Sequence, residues 1–308
     1  MSDKPTRLNY PAINRRNFFV NTVKTTGVLL LAPLVNKASG FLNMDESYTV
    51  GQIMDLFIKQ VPGGALTTTV DTLKSGSRDT KVTGIVTAMF ATIEVIRKAV
   101  DLGANFIIAH EPTFYNHLDD TGWLQNDEVY KYKAALLKQH NIAVWRNHDY
   151  IHRMVPDGVT QGVLDQLQWQ KYADKKIPNI LTMPATSLKN LVGYVKERLG
   201  IEKVRYIGDP VQSCTRVLFM PGSAGGQRQI QGIAQVKPDV LICGEIAEWE
   251  TAEYVRDARA KGDKISLVVL GHIASEDAGS EFMLSWLKKN VPSVKATRVK
   301  PGNSLSFM

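Results

Sequence analysis

The chain has 308 residues, 44% hydrophobic and 22% charged, which is enough apolar material for a sizeable core without covalent staples. Two cysteines, Cys214 and Cys243, exclude a disulfide framework, and the strand-like residues around each mark both as core positions. The net charge of +7 is gathered at the start: residues 1–40 hold six basic residues against Asp3, and the remainder holds 31 basic and 29 acidic, a balance that gives no electrostatic footprint for a nucleic acid.

Residues 1–40 read as an address. Arg15-Arg16-Asn17-Phe18-Phe19 is followed by the apolar run Gly27–Val35 and by Ala38-Ser39-Gly40. The run is shorter than the roughly 20 residues that span a bilayer, and the small-x-small end suits cleavage. Paired arginines before such a run resemble a twin-arginine export signal. The expectation is a periplasmic or exported protein that meets the membrane only during export.

From Tyr48 the pattern alternates strand-like runs with helical periodicity. Lys81–Phe90 reads as a strand. A helix follows through Ile93, Val95, Ile96, Ala99 and Val100, with Thr92 as N-cap and Gly103 as stop. Phe106–Ala109 is a strand, Val129–Gln139 a helix with Val129, Tyr132, Ala135 and Leu136 on one side, Ile142–Trp145 a strand, and Gly158–Leu167 a helix. The polar stretch Trp169–Pro178 reads as the seam between lobes 41–175 and 176–308. Beyond it come helix Leu188–Leu199 (capped by Ser187), strands Val204–Ile207 and Arg216–Met220, and a short helix opening at Ser223–Gln229. Strand Val240–Cys243, helix Glu248–Ala260, strand Leu267–Leu270, helix Ser280–Lys288 and strand Val294–Val299 complete the chain. This alternation predicts an α/β fold with largely parallel sheets flanked by helices.

Chemistry gathers at the strand ends, where open α/β sheets bind ligands. Four of the six histidines lie there: His110 after one strand, His148 and His152 after another, His272 after a third. Glu111 and Glu276 accompany them. Imidazole and carboxylate ligands suit zinc, iron, manganese or nickel, and four imidazoles with two carboxylates suffice for two divalent ions. His148 and His152, like His272 and Glu276, are spaced four apart and share a face if the segment turns helically. As chain neighbours, His110 and Glu111 are expected to point apart, toward different ions. Glu245, in Gly244-Glu245-Ile246, is a candidate general base, a partner that orients a histidine, or an acid favoured by a helix N-terminus. Ser223–Gln227 reads as a tight strand-to-helix turn rather than a phosphate loop, lacking the spacing of one.

In this order, Ile-Ile-Ala-His110-Glu111-Pro112, Ala143 through His148 and His152 to Pro156-Asp-Gly158, Gly244-Glu245-Ile246 and Gly271-His272-x-x-x-Glu276 resemble the Nif-three-like family of dinuclear-metal proteins, some of them labelled type-two homologues of GTP cyclohydrolase. The resemblance runs from about Ser47 to Met308. It implies two related α/β lobes with the metal site between them, and a homohexamer whose inner surface carries the sites. The family pattern has a second histidine where this chain has Glu111, and an aspartate where it has His152. The exchange keeps the ligand count and leaves Glu111 or Glu276 to bridge two ions; the competing reading is drift after loss of one ion. After the Gly-Glu-Ile motif the family often has basic and histidine residues, whereas Ala247-Glu248-Trp249 predicts a more acidic, more aromatic pocket rim.

The expected activity is metal-dependent hydrolysis of a small polar substrate, cyclohydrolase-like or phosphoesterase-like. His110, Glu111, His148, His152, His272 and Glu276 would be the ligands and Glu245 the catalytic proton carrier. The alternative is a non-catalytic hexamer that stores or delivers metal or serves as a scaffold.

Overall fold

Short, mostly apolar and mostly buried strands form the middles of two sheets in the computed structural model of this protein, which describes residues 47–306 and Met308. The export-signal reading of residues 1–40 lies outside the described residues. The first sheet contains β1 (Leu73–Ser75), β2 (Ile85–Ala88), β3 (Phe106–Ala109), β4 (Ala143–Arg146) and, from the far end of the chain, β10 (Ala296–Arg298), in the order β1-β4-β3-β2-β10. The second contains β5 (Ile180–Ser187), β6 (Arg205–Ile207), β7 (Ser213–Met220), β8 (Val240–Cys243) and β9 (Ser266–Val269), in the order β5-β7-β8-β9-β6. The central pairings are parallel; β1, β5 and β6 pair antiparallel at the edges. The fold is α/β, with helices flanking both sheets.

Register decides where the chemistry falls. Ala88, Ala109 and Arg146 are aligned at the ends of β2, β3 and β4. Met220, Cys243 and Val269 are aligned at the ends of β7, β8 and β9. The segments that follow, beginning at His110, Asn147, Pro221, Gly244 and Leu270, therefore leave their sheets at matching heights.

The helices are α1 (Val50–Ile58), α2 (Ile93–Asp101), α3 (Glu128–Gln139), α4 (Asp149–Arg153), α5 (Gly158–Leu167), α6 (Leu188–Leu199), α7 (Gly226–Val236), α8 (Glu253–Ala260), α9 (His272–Glu276) and α10 (Ala278–Asn290). Several have the caps expected of them: Thr92 accepts from Val95 N at the start of α2 and Ser187 from Asn190 N at the start of α6. Gly103 takes φ +66° just past α2, where a residue without Cβ stops a helix at little cost. Cys214 and Cys243 are both buried. The stretch read as one helix from Glu248 opens with a π-helical turn, Glu248–Ala252, before α8.

The division at residues 175 and 176 is not where the cores divide. α5, from the first half, contributes Val163, Leu164 and Leu167 to the core of the second sheet. α10, from the second half, contributes Met283, Trp286 and Leu287 to the core of the first. The two helices meet where side chains are small: a Cβ on Gly162 would stand 2.5 Å from the Ala278 carbonyl oxygen. The final strand, read above as part of the second half, hydrogen-bonds along β2 instead. Arg298 on β10 donates to Asp277, the residue between α9 and α10. Each half thus completes the other's core. Burial of side chains such as Leu287 and Leu167 contributes about 1.5–3 kcal/mol each.

Candidate metal centre

His110 and Glu111 directly follow β3 and stay tied to the segment after β2, with His110 N bonded to Ala88 O and Glu111 N to Met89 O. Pro112 then turns the chain. Because the regular pleat ends at Ala109, the two neighbours do not point apart as expected: His110, Glu111 and Glu276 offer ligand atoms all within 4.8 Å of one another. All three are more than nine-tenths buried.

His148 and His152 are set by α4. Asp71, a buried residue of the preceding loop, accepts from His148 N at 2.8 Å and from Tyr150 N at 2.7 Å, fixing the start of this short helix. One turn then brings the two imidazoles to a centroid separation of 4.9 Å, and each lies about as close to His110, at 4.9 and 5.1 Å. The three histidines form a second group of ligand atoms within 4.8 Å. The helical spacing of His272 and Glu276 holds as read: α9 places His272 Nε2 3.0 Å from Glu276 Oε2. Across the lobes, the same nitrogen is 3.1 Å from Glu111 Oε1. All six predicted ligands therefore meet in one place, four from the first half of the chain and two from the second.

The outer nitrogen of each ring is engaged. His148 Nδ1 is 3.0 Å from Asp149 Oδ1, His152 Nδ1 2.9 Å from Asp157 Oδ2, His272 Nδ1 3.0 Å from Glu245 Oε1, and His110 Nδ1 3.3 Å from Asn147 O. In His110, His148 and His152 an acceptor at Nδ1 assigns the proton there and leaves Nε2 bare and facing inward, the arrangement of metal-ligating histidines. His110 Nε2 is buried without a hydrogen-bond partner, its approach to Glu276 Oε2 being 3.6 Å. An orphaned buried nitrogen costs free energy in a protein without a ligand for it. Orphaned nitrogen, oriented rings and clustered carboxylates together fit a divalent transition ion.

Electrostatics describe the same demand for a cation. Burial works against ionisation of Glu111, yet its hydrogen bond to His272 and the nearby His110 and His148 hold it down at about 2. Burial likewise opposes ionisation of Glu276, and His110 and His272 hold it well below the usual carboxylate range. Burial disfavours the charged form of His272, but Glu111, Glu245 and Glu276 push it up to about 12. His148 is pushed down to about 4 by burial and by the neighbouring His110. His272 Nε2 lies between two carboxylate oxygens, 3.1 Å from Glu111 Oε1 and 3.0 Å from Glu276 Oε2, which favours the cationic form of the ring.

Sequence reasoning missed several residues here. Asp71, Asp149 and Asp157 hold the α4 histidines in place and look like ordinary loop acids in the sequence; Asp157 also caps α5 through Val159 N and Thr160 N. His117 stands with its ring 5.9 Å from that of His148. Gly222 follows β7 with φ +65°, and a Cβ there would lie 2.2 Å from Glu276 Oε1, so only glycine admits this carboxylate. The rim expected from Ala247-Glu248-Trp249 does not form: Trp249 is 81% exposed and Glu248 pairs with Arg205, while Glu245 is the member of this segment that lines the cavity.

That cavity, about 1180 Å³, is lined by five of the six ligands, His110 being buried beside them, and is walled by both lobes, with Glu111–Thr113 and His148 on one side and Ser223, Glu245 and His272 on the other.

Comparison with known proteins gives the family and the fold. The chain is 26% identical over 208 residues to the GTP cyclohydrolase 1 type 2 homolog of Escherichia coli strain K12, covering 67% of this chain and 79% of the relative. It is 25% identical over 215 residues to the protein of that name from Clostridium acetobutylicum, covering 66% and 76%. The fold is similar to that of Staphylococcus aureus hypothetical protein SA1388, with a TM-score of 0.68 and 19% identity over 84% of this chain and 99% of that one. It is also similar to a Bacillus cereus protein related to NIF3, with a TM-score of 0.67 and 16% identity over 85% and 99%. The family model described as Duf34/NIF3 (NGG1p interacting factor 3) matches residues 68–301, which takes in all six clustered ligands, and the chain belongs to that family.

Proposed function

We propose that this protein is a divalent-metal-dependent hydrolase of a small polar substrate. The observation that carries the reading is convergence of six ligand side chains, five of which line a large open cavity while the sixth, His110, is buried beside them. A structural metal site is closed by protein ligands, whereas a catalytic one keeps a face open. Here the side chains of His148, His152 and His272 remain 24%, 29% and 17% exposed. His148 and His152 would hold one ion and His272 and Glu276 a second, with His110 and Glu111 between them. Such ions supply Lewis acidity toward a carbonyl or phosphoryl oxygen and lower the pKa of water.

The chain's own groups would do the rest. Glu245 accepts at His272 Nδ1, and that hydrogen bond holds its carboxyl below the ordinary range. A general base works best near the operating pH, so Glu245 is better suited to orienting His272 than to carrying the substrate's proton. Asp149 and Asp157 orient His148 and His152 in the same way.

The test is hydrolysis of phosphoester, cyclic amide and amidine model substrates by the purified protein. Turnover of at least one class should vanish on chelation and return with a divalent ion. Turnover unaffected by chelation, or metal-loaded protein inert toward all three classes, would contradict the proposal; the second result would favour metal storage or delivery.

A further inference from the structure

Lys133 lies on the buried face of α3, 5% exposed, in the wall of the same cavity. A buried ammonium ordinarily answers to a carboxylate, because an unpaired charge out of water is costly. Among the described ion pairs none includes Lys133. Asp119, the acid with the strongest influence on it, is already taken by Lys74 at 3.3 Å and Arg146 at 3.5 Å. Nζ donates to the Thr113 carbonyl at 2.6 Å and lies 5.7 and 5.2 Å from the ring centroids of Phe114 and Tyr115. Those contacts make the cation tolerable, but an ammonium has three donors.

The neighbouring side chain is also unsatisfied. Thr113 is 1% exposed, and its Oγ1 has no hydrogen-bond partner among the described residues. It too lines the cavity, two residues after Glu111. A cation without an anion and a hydroxyl without a partner thus adjoin in one wall, beside the metal ligands. Both deficits are met by one kind of ligand atom, an anionic oxygen, which accepts from Nζ and from Oγ1 in short charge-assisted bonds.

We propose that Lys133 and Thr113 form an oxyanion anchor that binds a phosphate or carboxylate group of the substrate. The assignment rests on the reading of the cavity as a substrate site and narrows the substrate to an anion. It places the anionic group to one side of the ligand cluster, leaving the bond to be cleaved over the ions.

The experiment is calorimetric titration of inorganic phosphate, and separately acetate, into the full chain as purified and after chelation. Chelated wild type should bind at least one of the two, and the preferred one names the substrate's charged group. Lys133→Met should weaken that binding by at least about tenfold, and Thr113→Val should weaken it less. Unchanged affinity in a Lys133→Met variant with wild-type circular dichroism would overturn the anchor. Should that variant not fold, unchanged affinity in Thr113→Val, which keeps the lysine, would overturn it equally. Binding confined to the metal-loaded protein would place the anion on the ions and overturn the anchor while leaving the proposed hydrolase intact. Phosphate or acetate bound by a protein that takes up no metal would do the reverse.

Discussion

Glu111 divides its carboxylate between two tasks. Oε1 faces His272, at 3.1 Å, while Oε2 is 3.5 Å from Arg146 Nη2. Arg146 is fully buried, and its other amine donates to the His117 carbonyl and lies 3.5 Å from Asp119. One guanidinium therefore faces both the ligand carboxylate and the His117 loop that lines the cavity. Arg146→Gln should lower metal affinity roughly ten- to hundredfold, as loss of an orienting partner does, and should lower stability by about 3–5 kcal/mol, since Glu111 and Asp119 are left buried beside a neutral group. Calorimetric metal titration and urea unfolding measure both; wild-type affinity in a folded variant would contradict this role. Lys133 yields a prediction of the opposite sense. Burial lowers its amine from 10.5 to about 8, so between those pH values the unfolded chain keeps a proton that the folded chain has lost. Stability from this group then rises with pH. Between pH 7.5 and 10.5 the wild type should gain about 3 kcal/mol relative to Lys133→Met, measured by urea unfolding across that range; a flat difference would contradict it.

At the scale of elements, the site depends on where strands end and how tightly the next residue turns. Gly222 is the narrowest point, its φ of +65° placing a hydrogen where any side chain would strike Glu276. Gly222→Ala should leave the strands intact yet push Glu276 aside, lowering metal content measured by elemental analysis; undiminished content would show that the carboxylate has room. Much of this level is legible in the sequence. The short buried strands are mostly apolar runs, α2 and α6 carry their caps, and the i,i+4 spacing of His272 and Glu276 becomes α9. Other elements are hidden for identifiable reasons. β5 is an edge strand containing Pro184, half exposed and without clean alternation. β1 has three half-buried residues. The apolar residues of α3 mislead: Val129 and Tyr132 face outward, and the helix buries Leu137 together with Lys133. A lysine on the inner face is invisible to any pattern that treats charge as surface. The orienting partners Asp149 and Asp157 are equally silent, since their role exists only once α4 has folded against them.

For the whole molecule, the exchange of α5 and α10 between cores matters more than either lobe alone. Arg298 on the last strand of the first sheet grips Asp277 beside α9, and Thr87 on β2 donates to the Ser280 carbonyl on α10 at 3.0 Å. These ties carry His272 and Glu276, from one half of the chain, to His110, Glu111, His148 and His152 from the other. The proposed centre is therefore a property of the assembled pair of lobes. The most direct test is elemental analysis of the purified protein beside two single variants, one from each half: His148→Ala and His272→Ala. Up to two divalent transition ions per chain are expected in the wild type, with most of that content lost in both variants while both remain folded. Full metal content in His272→Ala would remove the site from His272 and contradict the joint centre drawn here.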